Sequence, residues 1–414
     1  MDVLHERCAG LDISKKDAKA CVRAPSTKRR GSFTSEITTW GATTNAVLAL
    51  REHLIAARVS LVVIEATSDY WKPFYYLLTE DLNVILVNAR QAKNLPGRKT
   101  DVSDAAWLAQ LGSHGLLRAS FVPPQPVREL RDLTRSRTQM IRERGQIVQR
   151  LEKLLEDTGI KLSSVASDIT GVSGRAMLEA LIEGERDPQA LAELAKRRMR
   201  SKIPELTEAL TGRFREHHAF LTRLHLDNYD QLTRVITELD RRIEEAMAPF
   251  RDALDLLDTI PGVSRATAEV IVAETGADMS RFASPKHLAS WAGVCPGHHE
   301  SAGRTKNTKV RPGNPYLKGA LGIAAFSAVR AKDTYLQARY KRLTSRRGPL
   351  RALVAVEHSM ITAIWHMLTD RIPYHELGGD YFTRRDPERA TRRAINALND
   401  LGYTVTLNPL ERTA

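Results

Sequence analysis

The sequence has few cysteines and no long apolar segment. Its three cysteines, Cys8, Cys21 and Cys295, are odd in number, far apart and outside any Cys-x-x-Cys pair, so the sequence supports neither a disulfide framework nor a structural zinc site. No apolar run reaches the roughly 18 residues that a transmembrane helix needs, and the first residues lack the apolar core of a signal peptide. We therefore expect a cytoplasmic protein that does not span a membrane.

Acidic residues are too few to balance the basic ones. There are 49 Asp and Glu against 62 Lys and Arg, which gives a net charge of +13. Such an excess indicates a polyanionic partner, and by itself it does not separate nucleic acid from an acidic membrane surface. The excess lies in one segment, because residues 281–351 contain 15 basic residues and only two acidic ones, Glu300 and Asp333. This segment is where we expect a phosphate backbone to bind, with an affinity that falls steeply with salt.

The chain is long enough for two or three domains, and its pattern changes along its length. Residues 1–118 read as three strands, then helix, strand, helix, strand and helix, the order of an α/β ribonuclease-H-like (RuvC-like) domain. A proline-rich linker at 121–126 follows. We expect an all-α coiled-coil region at 119–258, a mainly α C-terminal domain at 259–370, and an Arg-rich extension at 371–414.

The middle region contains an apolar repeat at heptad spacing. The repeat comprises Leu130, Leu133, Met140, Ile147, Leu151 and Leu154. Arg137 and Arg144 occupy two intervening core positions, which disfavours a plain two-stranded coiled coil unless they meet acidic partners or nucleic acid. A second apolar repeat spans about 205–250. The two repeats fit either a helical spacer or a dimerising coiled coil.

Four carboxylates are expected to meet at one edge of the N-terminal sheet. Asp12 lies in the first strand and Glu65 at the carboxyl end of the fourth, which neighbours it in a ribonuclease-H-like sheet. Asp101 and Asp104, spaced i, i+3, open the last helix on one face. Clustered carboxylates repel one another unless a cation lies between them. Oxygen ligands in this number suit Mg²⁺ or Mn²⁺, and two such ions can clamp a phosphodiester.

An ordinary structural role has to be considered for each acid. Asp101 fits a helix cap that complements the helix dipole. Glu65 is harder to explain structurally, because it follows four apolar residues and its charge would be costly to bury without a partner. An aspartate such as Asp12 is also unusual inside a strand. The combination favours a metal site.

The C-terminal domain begins with a helix, a tight turn and a second helix at 257–268. This resembles a helix-hairpin-helix, whose turn around Gly262 would offer backbone N–H groups to a phosphate. Ser264 stands where a second glycine is usual, and a purely structural helical hairpin fits the pattern as well.

A long loop rich in glycine and cations is predicted before a helix that Asn314 caps, with Pro315 at its first position. Long ordered loops in compact domains are commonly functional. Ser301 lies in this loop between Glu300 and Arg304. A serine in a polar loop is ordinarily just solvated, so chemistry alone does not identify Ser301 as a nucleophile.

Seven motifs, in order, resemble the DEDD transposases of the IS110 insertion-sequence family over most of residues 7–370. The motifs are Gly10-Leu11-Asp12-Ile13, Ile64-Glu65-Ala66-Thr67, Lys99-Thr100-Asp101-Val102-Ser103-Asp104, Ile260-Pro261-Gly262-Val263, Ala292-Gly293-Val294-Cys295-Pro296, Ser301-Ala302-Gly303-Arg304 and Gly313-Asn314-Pro315-Tyr316.

The resemblance implies a DNA transposase that cleaves and rejoins strands through a covalent phosphoserine intermediate. The family's metal-binding acids correspond to Asp12, Glu65, Asp101 and Asp104, and its serine nucleophile to Ser301, although Ala302 replaces the first glycine of that motif. The catalytic ion would be Mg²⁺, with Mn²⁺ as an alternative.

The resemblance also implies partners. These are double-stranded DNA at the element ends and target, a structured noncoding bridge RNA, and further copies of the chain, as dimers that pair into a tetramer with shared active sites. The location would be the nucleoid of a bacterial cytoplasm. The expected nucleic-acid contacts are Lys99, Gly262, Arg265, Arg304, Lys306, Lys309, Arg311 and Lys318.

Two other functions fit the same residues. A metal-dependent nuclease or junction resolvase would use water as its nucleophile and leave Ser301 structural. An inactive nucleic-acid-binding or regulatory protein could retain the fold, but the presence of all four acids disfavours it.

Overall fold

The structure is a computed structural model that describes residues 2–29, 31–66, 68–88, 103–297, 299–301, 304–307 and 309–407, with the backbone alone at 299–301 and 304–307. The chain divides into two compact units, Met1–Pro123 and Pro124–Ala414. None of the helices in these described stretches is long and apolar enough to cross a bilayer.

The first unit is a five-stranded mixed sheet with helices, as the sequence predicts for a ribonuclease-H-like domain. Its elements are β1 Cys8–Ile13, β2 Asp17–Pro25, β3 Phe33–Gly41, α1 Thr44–Ala56, β4 Leu61–Glu65, α2 Trp71–Leu78, β5 Val84–Val87 and α3 Asp104–Ser113. The strand order is β3-β2-β1-β4-β5. β1, β2 and β3 pair antiparallel, whereas β1, β4 and β5 are parallel.

Both faces of the sheet are covered, which explains why β4 is buried along its whole length. On one face Leu11 and Ile64 belong to a core that contains Leu50 of α1 and Phe74 of α2. On the other face Val63 belongs to a smaller cluster with residues of α3. The alternation of side chains along each strand therefore separates the two layers.

Gly10 allows α3 to approach β1 closely. A Cβ atom at Gly10 would lie 2.5 Å from the Ala109 nitrogen and closer still to the Ala105 carbonyl oxygen. No larger residue fits against the backbone of α3 at this point.

The second unit begins with two long antiparallel helices and a helical insert. The helices of this part are α4 Gln125–Thr158, α5 Leu162–Val165, α6 Val172–Glu183, α7 Pro188–Glu193, α8 Ile203–Ala209 and α9 Glu216–Ala246, with a 3-10 turn at Arg197–Lys202. The insert packs with α4 and α9 in one core that includes Leu151, Leu178, Leu206 and Leu226.

The two arginines in the heptad repeat have partners within the chain. Arg137 is buried, and its Nη1 donates to Glu269 Oε2 at 2.6 Å and to Asp240 Oδ1 at 2.9 Å. The Arg144 guanidinium lies over the Tyr229 ring. Arg137 thus has the acidic partners that an arginine at a heptad core position was expected to need. Helix α4 pairs with α9 of the same chain.

The rest of the second unit is mainly helical. Its helices are α10 Arg251–Asp258, α11 Arg265–Thr275, α12 Pro285–Ala292, α13 Pro315–Ala328, α14 Tyr335–Arg347, α15 Pro349–Asp370, α16 Tyr381–Arg385 and α17 Pro387–Asp400, with 3-10 turns at Ala248–Phe250 and Met279–Arg281. Helix α15 packs against α12, α13 and α14. Strands β6 His299–Ser301 and β7 Arg304–Asn307 pair antiparallel where the sequence predicted only a loop.

Candidate active site

Asp12 and Glu65 occupy equivalent positions on neighbouring parallel strands. Leu11 of β1 pairs with Ile64 of β4, so each acid lies one residue beyond this pair. Residues at the same step of two parallel strands project from the same face of the sheet. Glu65 is only 8% exposed, and Asp12 is partly buried.

Helix α3 brings Asp104 to the same corner. Gly10, in the middle of β1, packs against Ala109 in the middle of α3. Gly112, near the end of α3, packs at the start of β1, where a Cβ atom on it would lie 2.9 Å from Cys8 Sγ. The helix therefore runs antiparallel to β1. Its first residue, Asp104, consequently lies at the end of the sheet that carries Asp12 and Glu65.

Asp104 is not needed to cap its helix. Ser103 is the N-cap, and its hydroxyl accepts a hydrogen bond from the Ala106 nitrogen at 3.3 Å. The N-cap role at this helix start therefore belongs to Ser103, and Asp104 lies in the first turn of the helix. Asp101 and Lys99, which the sequence also assigns to the site, lie outside the described residues.

The types of donor at this corner suit a divalent cation. Asp12, Glu65 and Asp104 each bring a carboxylate to the same end of the sheet, and Lys19 lies opposite Asp12 on β2. Carboxylate oxygens are the ligands that Mg²⁺ prefers. Within the ranges that the structure covers, which omit Asp101, no group of three or more metal-binding side chains is close enough to hold an ion.

Ser301 lies at the end of a β-hairpin strand. It is the last residue of β6 and pairs with Arg304, the first residue of β7, so only two residues separate them. At the other end of the hairpin, Pro296 forms a bridge with Val310, and the Gly297 nitrogen donates to the Lys309 carbonyl oxygen at 3.0 Å. Ser301 thus lies next to the turn of the hairpin, and the backbone is paired from there to Pro296 and Val310.

Two glycines close the base of the hairpin. Gly293 has a φ of +76°, which favours glycine. A Cβ atom on Gly313 would lie 2.5 Å from the Gly293 Cα atom, so the two backbones touch. The Asn314 nitrogen then donates to the Trp291 carbonyl oxygen at 3.0 Å. Gly293 and Gly313, which both belong to motifs that resemble the transposase family, are therefore explained by close packing.

Asn314 joins the base of the hairpin to a buried carboxylate. Its Oδ1 accepts hydrogen bonds from the Tyr316 and Leu317 nitrogens at 3.0 Å each, which is the predicted cap. Its Nδ2 donates to Glu274 Oε2 at 2.6 Å. Glu274 is fully buried, and Arg135 of α4 donates to both of its carboxylate oxygens at 2.7 and 2.9 Å.

Glu274 is a buried acid that was not among the residues predicted from the sequence, although its sequence pattern is visible. Glu274 ends the run Val270-Ile271-Val272-Ala273, and an acid after four apolar residues is the same pattern that singled out Glu65. In this case the buried charge is compensated by arginines and an amide, so the pattern marks a structural network.

The remaining predicted nucleic-acid contacts fall into two groups. Lys309 and Arg311 are exposed beside the hairpin, whereas Arg304 and Lys306 lie in β7 with side chains outside the described set. Arg265 is 3.7 Å from both Asp255 and Glu269, so acidic groups already surround it. Each of these contacts stays a prediction.

The turn at Gly262 packs against a helix. A Cβ atom at Gly262 would lie 2.5 Å from the Ala328 nitrogen of α13. Ser264, in the position of a second glycine, caps α11 through a bond from the Thr267 nitrogen at 3.4 Å. Both residues have structural roles consistent with a helical hairpin.

Lys318 of α13 is partly buried and influences a buried acid. Glu357 of α15 is 5% exposed, and its Oε2 has no hydrogen-bond partner among the groups that the structure describes. Burial raises the pKa of Glu357, and the charge of Lys318 lowers it in part. Lys318 thus has an intramolecular role besides the predicted contact.

Two family models match the chain. Residues 9–160 match the DEDD model of IS110 elements, described as a transposase. Residues 254–341 match a model described as the transposase IS116/IS110/IS902 family. The chain belongs to the IS110 family of transposases. The first match contains the four acids and the second contains Ser301, in the order that the sequence motifs predict.

Several relatives are similar over most of this transposase. A pilin gene-inverting protein of Moraxella bovis is 25% identical over 383 residues, which cover 88% of this chain and 96% of the relative. A 44.8 kDa protein of the insertion element IS116 of Streptomyces clavuligerus is 27% identical over 330 residues, 71% of this chain and 78% of the relative. The transposase of IS1111A from Coxiella burnetii is 23% identical over 326 residues, 77% and 80% of the two chains.

The family membership settles the class of chemistry. The protein is an insertion-sequence transposase, an enzyme of DNA transesterification, and binds DNA. Its DEDD nuclease domain implies a divalent metal ion.

Proposed function

We propose that this transposase cleaves and rejoins DNA through a covalent bond to Ser301, assisted by a divalent ion at Asp12, Glu65, Asp101 and Asp104. The position of Asp12, Glu65 and Asp104 at the same corner of the sheet carries the proposal, because carboxylate oxygens are the ligands that Mg²⁺ prefers. A Mg²⁺ ion, or Mn²⁺, would supply positive charge that polarises the scissile phosphate.

The serine supplies the nucleophile. Its Oγ attacks the phosphorus atom while its proton passes to water or a nearby base, and the displaced sugar oxygen takes up a proton. One phosphate ester bond forms as another breaks, so the bond energy is conserved for rejoining. The hairpin supports this role because its pairing places the backbone of Ser301 at the turn, and the exposed cations Lys309 and Arg311 follow at its base.

Rejoining distinguishes this proposal from the nuclease alternative. The relative from Moraxella bovis is named for inverting a pilin gene. Inverting a segment requires the cut ends to be joined again, which hydrolysis by water does not achieve. This name favours a transesterification that retains the phosphate on the enzyme.

The partners proposed for the reaction follow the predicted domain organisation. The RuvC-like domain at 1–118 would hold the metal, and the domain at 259–370 would bind DNA through its basic segment. The helical region at 119–258 would pair subunits, as dimers that associate into a tetramer. A structured bridge RNA would select donor and target DNA.

The test is to trap the protein–DNA adduct. A nicked suicide substrate that carries an element end should become covalently attached to the wild-type transposase in the presence of Mg²⁺. Ser301→Ala should abolish the adduct, whereas Ser327→Ala, an exposed serine of α13, should retain it. Glu65→Gln should lower adduct formation by about a hundredfold, the upper end of what is lost when a group that only orients a metal ligand is removed, and Glu36→Gln on exposed β3 should not.

Contrary outcomes would be clear. An adduct that survives in Ser301→Ala would remove the serine from the mechanism. Cleaved ends without any adduct in the wild type would establish the metal-dependent nuclease. Bridge RNA is tested separately, by whether a structured noncoding segment beside the gene co-purifies with the protein.

A further inference from the structure

A cleft lined by arginines lies between α14 and the C-terminal extension. We call it the arginine cleft; its volume is about 830 Å³. Its basic residues are Lys341, Arg342, Arg346, Arg385, Arg389 and Arg393. The first three come from the α14 wall and the others from α16 and α17, so cations face one another across the space.

The single acidic residue lining the cleft is already engaged. Asp386 is the N-cap of α17, and its Oδ1 accepts a hydrogen bond from the Arg389 nitrogen at 3.2 Å. None of the six cations forms an ion pair with a carboxylate in the described part of the chain. Like charges that converge without counter-charges repel one another, so the cleft favours an anionic ligand with several charges.

One wall of the cleft is aromatic. Phe382 lines it, and the Arg342 guanidinium lies 4.6 Å from the centre of the Phe382 ring. The Tyr335 ring stacks on Phe382, with centroids 5.5 Å apart and planes inclined by 26°. Tyr335 and Arg342, both on α14, thus cover the Phe382 ring and fix α16 against that helix, which leaves the cations of the cleft to contact the phosphates of a strand.

Helix α17 gives the cleft its second wall without contributing to the core. None of its residues is buried. Its basic side chains therefore present charge at little cost to packing, and substituting them should leave the fold intact. Both family models end at or before residue 341, so they do not reach α16 or α17.

We propose that the arginine cleft binds the phosphodiester backbone of a nucleic-acid strand, as a contact separate from the one beside Ser301. The concave shape, with cations on both walls, fits a strand that enters the cleft and not a flat lipid surface. The inference rests on the proposed function only in that the partner is a nucleic acid.

The experiment measures how binding depends on salt. Labelled single-stranded RNA, single-stranded DNA and duplex DNA of equal length would be titrated with the full chain carrying Ser301→Ala, so that binding is measured without covalent chemistry. The slope of log affinity against log salt is negative, and each phosphate contact adds about 0.7–0.9 to its magnitude. We expect this magnitude to fall by about 2 in the triple variant Arg385→Gln/Arg389→Gln/Arg393→Gln. Affinity at low salt should fall about tenfold or more.

A matched pair of single variants gives the control. Arg389→Gln should reduce the slope, whereas Arg392→Gln, in the same helix but outside the cleft lining, should not. Whichever of the three nucleic acids loses most affinity identifies the strand that the cleft holds. Unchanged slopes for all three, or a loss confined to anionic phospholipid vesicles, would overturn the proposal. Failure of the Ser301 adduct would leave this result unaffected.

Discussion

At the scale of the residue, a carboxylate's surroundings decide what it does. Glu65, Glu274 and Glu357 are all buried glutamates. Glu65 lies beside Asp12 at a strand end, Glu274 is bound by Arg135 and Asn314, and Glu357 has an oxygen without a described partner. The same residue type thus serves a proposed metal site, a structural network and a buried position where one carboxylate oxygen has no described hydrogen bond.

Glu357→Gln should stabilise the protein at neutral and higher pH. Burial raises the pKa of Glu357 in the folded state, with Lys318 opposing the effect, so the folded state binds the proton more tightly than the unfolded state. The stability of the wild type is therefore fully present below the unfolded pKa of about 4.3 and is lost as the pH rises through the folded pKa. Thermal melting across this range should show the advantage of the variant growing with pH.

The control for this prediction is Glu244→Gln, an exposed glutamate of α9. Its melting temperature should follow the wild type at every pH. An advantage of Glu357→Gln that stays constant with pH would show that the ionisation of Glu357 is not responsible.

At the scale of the element, close contacts between backbones place the functional groups. Gly10 lets α3 lie against β1, and Gly293 with Gly313 closes the base of the Ser301 hairpin. The hairpin itself was predicted as a loop, because β6 and β7 are only three and four residues long and show no apolar alternation. Its pairing depends on the glycine contact and on Asn314, which join distant parts of the chain.

Gly10→Val should displace α3 and with it Asp104. The added side chain has no space between β1 and the Ala105–Ala109 backbone, and overpacking of this kind costs about 1–3 kcal/mol of unfolding free energy. We expect a loss of stability, measured by urea denaturation. We also expect weaker Mg²⁺ binding, so that adduct formation requires a higher Mg²⁺ concentration than in the wild type.

Gly145→Ala is the matched control. Gly145 lies on the exposed side of α4 with no atom within 4 Å of an added Cβ, so this change should be neutral or stabilising by up to about 1 kcal/mol. Normal stability in Gly10→Val would contradict the close packing of α3 on β1.

At the scale of the whole molecule, the proposed acids and serine belong to two different compact units. The resemblance to IS110 transposases led us to predict that subunits share active sites. The antiparallel pairing of α4 with α9 explains the heptad repeat within one chain, so pairing of subunits has to use other surfaces of these helices or another region. Functional complementation can test the sharing directly.

Co-expressed Asp12→Asn and Ser301→Ala chains should together form the covalent adduct that neither forms alone. In a mixed dimer with shared sites, one site combines the intact acids of one subunit with the intact serine of the other. We expect recovery of up to about half of the wild-type adduct in such dimers, measured on the suicide substrate. Mixed dimers that bind DNA but form no adduct would place the acids and the serine in the same subunit.

The sequence by itself determined the order of strands and helices in the N-terminal domain, the positions of Asp12 and Glu65 at adjacent strand ends, and the family. These features follow from local apolar patterns and short motifs, which do not depend on distant residues. Charge counting also located the basic segment at 281–351. It missed the arginine cleft, because residues 371–414 contain seven basic and six acidic residues and so read as nearly neutral.

Only the tertiary structure decided which residues meet across the chain. Arg137 and Glu269 are separated by 132 residues, and Arg135 and Glu274 by 139, so no sequence period predicts these pairs. The arginine cleft arises in the same way, from helices that place six cations and only one acid, Asp386, on facing walls. Whether charged side chains face one another depends on how the helices pack, and the order of residues along the chain does not give that packing.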